Sequence, residues 1–149
     1  MDNQEKRIMD ILGVEFDEER DEEFDEACET NDENFIKYYN YLKDNITFPC
    51  LLTGIDDFPW EERYVFEGHN QKEYKKLKKN NPSYSDVFEF IKFFEPDDDD
   101  FDGGDLFIEV KRVSDKKVFD LGLSWLKCKD SKSKNYQLLD DFAVWQCNY

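Results

Sequence analysis

Histidine is nearly absent from this 149-residue chain, with His69 alone, and its four cysteines form no C-x-x-C pair. Cys28, Cys50, Cys128 and Cys147 are too scattered to build a familiar zinc or haem site, so those cofactors are disfavoured. No apolar run approaches the ~20 residues that span a bilayer. The opening MDNQEKRIMD has neither the basic nor the apolar region of a secretory signal. The expectation is a cytoplasmic protein with reduced thiols and no membrane partner. Positive charge is also scarce: 20 Lys and Arg stand against 37 Asp and Glu, a net charge of −17. Binding to nucleic-acid phosphates is therefore disfavoured. No nucleophile motif, phosphate-binding loop or metal-hydrolase spacing occurs, and His69 lies between Gly68 and Asn70, a turn-like setting rather than that of a catalytic base. The expected protein is not an enzyme.

Aromatic residues are plentiful, at 17%, with 14 Phe, 8 Tyr and 3 Trp. They supply a core large enough for one domain of this length, with Trp60, Trp125 and Trp145 as candidate anchors. The negative charge is concentrated. Residues 1–34 carry fifteen acidic and three basic side chains, and 97–109 carry seven acids, leaving the rest of the chain roughly neutral. This divides the chain into an acidic N-terminal arm, 1–34, partly helical or loosely ordered, and a single domain, 35–149.

Along the arm, Ile8, Met9, Ile11 and Leu12 fit a helix over 3–12, while charge dominates 15–33, with Phe16, Phe24 and Cys28 available to dock it. Phe35, Ile36, Tyr38, Tyr39, Tyr41 and Leu42 recur at helical spacing behind Asn31 or Asp32 as cap. Strands are expected at 48–55 and 62–66, and a helix at 71–79 with Lys72, Lys75, Lys76 and Lys79 on one side. Runs 88–94 and 106–113 read as strands, 113–118 as a turn into a further strand through Phe119 and Leu121, and 136–145 as a closing helix. The fold class is α+β: a small antiparallel sheet, open or barrel-like, with flanking helices.

One segment carries a metal-ligand pattern. Asp98–Glu109 reads DDDFDGGDLFIE, with Asp98, Asp100 and Asp102 alternating, Gly103 sixth and Glu109 twelfth. This is the calcium-loop spacing, in which a hard divalent cation takes oxygens from positions 1, 3, 5, 7, 9 and 12 around a sharp glycine turn. Here those positions are Asp98, Asp100, Asp102, Gly104, Leu106 and Glu109. The flanking runs are strand-like rather than helical, so the loop is not an EF-hand. The same composition also suits a solvated hairpin tip.

Three stretches, Tyr38–Leu42 running on to Phe48-Pro49, Leu106–Phe119 with Leu121 and Leu126, and Asp140–Trp145, resemble the family of small bacterial calcium-binding proteins typified by cyanobacterial CcbP. The resemblance covers about residues 35–147. It implies a compact, acidic, non-EF-hand protein that binds Ca2+ to buffer or sense it, and the chain is expected to be a monomer. It does not transfer ligands residue by residue, so calcium could sit at Asp98–Glu109 or at Asp56, Asp57, Glu61, Glu62, Asp140 and Asp141. Those six also suit turns and helix caps. The alternative function is an acidic immunity-type or nucleic-acid-mimic protein that engages a basic protein surface.

Overall fold

The computed structural model describes residues 3–14, 27–66, 68, 70–95 and 105–148. Phe16, Phe24 and His69 lie outside them. Helix α1, Asn3–Leu12, turns Ile8, Met9 and Leu12 into the core. It ends as a helix does when glycine takes the left-handed region: Gly13 has φ +71°, and Val14 N–H reaches back to Met9 O at 2.9 Å. Helix α2, Asp32–Asn45, starts at Asn31, whose side chain accepts the Asn34 N–H at 2.8 Å. Its Phe35, Tyr38, Tyr39 and Leu42 are buried at helical spacing, as expected.

Strands β1 (Leu51–Gly54), β2 (Phe88–Phe93), β3 (Phe107–Arg112), β4 (Val118–Gly122) and β5 (Leu126–Cys128) form one antiparallel sheet in the order β4-β3-β2-β1-β5. A 3-10 turn, Leu123–Trp125, joins the two edge strands directly. Four Cα steps reach about 14 Å, whereas four strand spacings in a flat sheet need about 19 Å. The sheet must therefore curl until its edges approach. It does not close, because β4 and β5 form no ladder, so the barrel-like alternative is not realised.

Inside the curl, β-strand alternation supplies Leu52, Phe88, Phe90, Ile108 and Val110. Helix α5, Lys134–Asn148, lays Leu138, Leu139, Phe142 and Trp145 over them. The helices lock through aromatic rings: Phe35 meets Trp145 edge-on at 4.8 Å, and Tyr38 stacks on Trp145 at 4.9 Å. Such contacts add ~0.5–1.5 kcal/mol beyond area burial. Trp145 is a core anchor, as expected, and its indole N–H donates to Cys28 O at 2.7 Å. Trp125 departs from that expectation, being 42% exposed.

The strand expected at 62–66 is instead a short helix, α3, Glu62–Val65. Its apolar alternation has no partner strand to satisfy: Phe66 is 88% exposed. The turn is held instead by Glu61, fully buried, whose carboxylate accepts Tyr74 Oη (2.6 Å), Ser83 Oγ (2.6 Å) and Tyr84 N (2.8 Å). Helix α4, Gln71–Leu77, presents Tyr74 to this centre, while Lys72, Lys75, Lys76 and Lys79 are solvent-exposed. No helix among the described residues is long and apolar enough to cross a membrane.

Candidate metal centre

Residues 94–106 connect β2 to β3, so the acidic segment falls on a connection between strands, not between the helices of an EF-hand. Asp98, Asp100, Asp102 and Gly104 lie outside the described residues. Leu106 is buried, and its carbonyl accepts Leu123 N–H at 2.7 Å. Glu109 is the third residue of β3 and half-buried. Phe107, Glu109 and Lys111 all point away from the core, and Phe107 is exposed. The irregularity in the ladder lies on β2, between Phe90 and Lys92, where Ile91 is the extra residue.

That register creates a row across the outer face. Glu109 stands opposite Lys92 on β2 and opposite Asp120 on β4. Two carboxylates directly opposite each other destabilise a sheet unless a cation stands by them. Oxygen donors of this kind suit a hard divalent ion. Asp120 was not a candidate ligand from sequence. The signal was available in the hairpin turn at 113–117, which fixes the β3–β4 register.

Asp105, eighth in the motif, is a structural anchor. Its carboxylate accepts Ser124 Oγ at 2.6 Å and the main-chain N–H of Leu106 at 2.8 Å. Burial pushes its pKa up to about 6, against the lowering effect of the Ser124 and Leu106 hydrogen bonds. A side chain at Gly122 would put its Cβ 2.5 Å from this carboxylate, so any larger residue there would push the anchor aside. The end of the acidic segment is thereby fixed to the turn joining the sheet edges.

The other acidic candidates serve the fold. Glu61 is the buried acceptor already described. Asp141, 1% exposed, takes a two-pronged contact from Arg7, with Nε at 2.8 Å and a terminal nitrogen at 3.0 Å. Gln4 donates to both Asp140 (3.1 Å) and Asp141 (3.0 Å), so these contacts dock α1 on α5. Asp56 accepts the Asp57 N–H at 2.9 Å in an exposed turn. Glu62 opens α3. Among the described residues, no group of three or more His, Cys, Asp or Glu side chains is arranged to hold a metal ion.

Two solved structures match this architecture. One is described as a calcium-binding protein in the calcium-binding form, with TM-score 0.55 and 18% identity, covering 97% of this chain and 89% of that one. The chain shares its fold with a calcium-binding protein. The other is CcbP from Anabaena, with TM-score 0.48 and 20% identity, covering 89% of this chain and 92% of that one. No family model matches the sequence, and no curated protein sequence matches it.

Proposed function

We propose that this chain is a non-enzymatic calcium-binding protein, a cytoplasmic monomer that buffers or senses the ion through carboxylates at the β2–β3 connection. The observation that carries this reading is the calcium-loop spacing of Asp98–Glu109 on a strand-to-strand connection, in a fold shared with a calcium-binding protein. Asp98, Asp100 and Asp102 supply single carboxylate oxygens, Gly104 a carbonyl and Glu109 a two-oxygen carboxylate, while Leu106, buried with its N–H and carbonyl both hydrogen-bonded, leaves the ninth position to solvent water. Asp120, opposite Glu109, adds a neighbouring carboxylate.

Carboxylates gathered within about 4 Å repel by up to ~4 kcal/mol per pair at an effective dielectric near 20. A loop that gathers its acids around one ion carries that repulsion when empty, and a divalent cation removes it. Calcium at 100 times its Kd stabilises the fold by about 2.7 kcal/mol if the unfolded chain does not bind it. Magnesium competes weakly, because it demands a tighter octahedron. Calorimetric calcium titration in excess magnesium tests the proposal, on the wild type and on Asp100→Ala combined with Glu109→Ala. Saturable binding lost in the double variant supports the loop. Binding that survives moves the ligands elsewhere, and no binding by the wild type refutes the calcium function.

A further inference from the structure

Cys50 and Cys128, neither of them in a disulfide, sit across a strand pair far from the acidic segment in sequence. Cys128 ends β5 and pairs with Leu52 of β1. Cys50 lies two residues before Leu52, so its side chain falls on the same face of the sheet. Both are buried, at 2% and 4% exposure. Cys128 Sγ lies 3.2 Å from Ser133 Oγ, and the Asn135 side chain bridges to the Thr47 main chain beside them. The pair lines a surface cleft of about 480 Å³, together with Lys129, Ser133 and Asn135. A small solute therefore has a route to the sulfurs.

Diagonal neighbours on adjacent strands stand about 7–8 Å apart at Cα, beyond the roughly 4.4–6.8 Å that a disulfide accepts. The spacing suits an atom between the sulfurs better than a bond between them. Asp130 also lines this cleft, but among the described residues no three His, Cys, Asp or Glu side chains are placed to hold one metal ion, so a four-ligand zinc site is not available. Soft thiolates select soft cations.

We propose that Cys50 and Cys128 form a two-coordinate dithiolate site for a soft monovalent cation of the copper(I) class, separate from the hard-cation site. Binding displaces both thiol protons to solvent and changes no oxidation state: two thiols and one copper(I) give one dithiolate complex and two protons. Ser133 offers a hydrogen bond that orients the Cys128 sulfur, as supporting groups do around metal ligands. A thiol is ordinarily protonated at neutral pH, so each ligand gives up a proton on binding. Affinity then rises ~100-fold per pH unit, because two protons leave together.

The test is anaerobic titration with copper(I) against bicinchoninate, using Cys147→Ser protein to remove the exposed thiol. The expected result is one copper per chain, two sulfur neighbours by X-ray absorption and a pH slope of two. Folded Cys50→Ser and Cys128→Ser proteins, checked by circular dichroism, lose the uptake. Failure to compete with bicinchoninate, a slope of zero, or uptake retained in folded Cys128→Ser overturns the proposal. So does ready closure of a Cys50–Cys128 disulfide by peroxide, since that refutes the spacing argument. If a serine variant does not fold, the pH slope and the sulfur count on the Cys147→Ser protein still decide.

Discussion

Replacing Arg7 by alanine tests how α1 is held, and with it why Asp141 is not available to a metal. Asp141 has 2% of its side chain exposed, whereas Arg7 has 36%. Removing the guanidinium leaves a buried carboxylate with the Gln4 amide as remaining donor among those described above. Breaking a fully buried pair costs about 3–5 kcal/mol, and a hydrogen bond to a charged group is worth about 1.5–3. Partial solvent exposure of Arg7 screens the pair toward the lower figure. The expected loss is about 2–3 kcal/mol, a fall in Tm of roughly 4–12 °C for a domain of this size. Asp141→Asn costs less, because the amide still accepts a hydrogen bond, leaves no buried charge, and lets Arg7 turn to water. Thermal unfolding by circular dichroism reads both variants and their double. A Tm unchanged within 1–2 °C in Arg7→Ala, or a larger loss in Asp141→Asn, would refute the reasoning.

Three further outcomes follow from named groups. Glu61→Ala strands Tyr74, Ser83 and Tyr84 donors in a buried turn and destabilises by about 3 kcal/mol or more, while Glu61→Gln, which keeps one acceptor, loses less; urea unfolding measures both. Tyr38 Oη is buried without a hydrogen-bond partner among the described residues, so Tyr38→Phe keeps the stack on Trp145 and raises stability by about 1 kcal/mol. Arg112, hydrogen-bonded to Asp115, holds that carboxyl down from its ordinary 3.8 to about 2. A depressed carboxylate stabilises the fold above pH 3.8 and loses that contribution as pH falls toward 2. In Asp115→Asn the acid-unfolding curve flattens across that window, and an unchanged curve would contradict the assignment.

Much of the fold was legible because local signals agreed. In α2 the Asn31 cap and the 3.6-residue recurrence of Phe35, Tyr38, Tyr39 and Leu42 point the same way. The β2, β3 and β4 strands show alternation around a turn. The failures share a physical cause, which is that tertiary hydrogen bonds outvoted short local patterns. Glu61 gathers donors from residues 13 to 23 positions away, and no window of sequence shows that convergence. Strand β5 is only three residues long and is defined by its pairing with β1. At the candidate site, the motif spacing was readable, but Asp120 beside Glu109 and the anchoring of Asp105 on Ser124 depend on strand register. The roles of Glu61 and Asp141 were hidden for the same reason: acidic residues suited to metal binding are equally suited to buried hydrogen-bond centres.

Calcium titration followed by amide nuclear magnetic resonance tests the central claim most directly, since it reports binding and location together. The account predicts saturable shifts centred on residues 96–109, extending to Lys92 and Asp120 across the sheet and sparing Glu61 and Asp141. Shifts centred on Asp56, Asp57 or Glu62, or an unchanged spectrum at millimolar calcium, would contradict it.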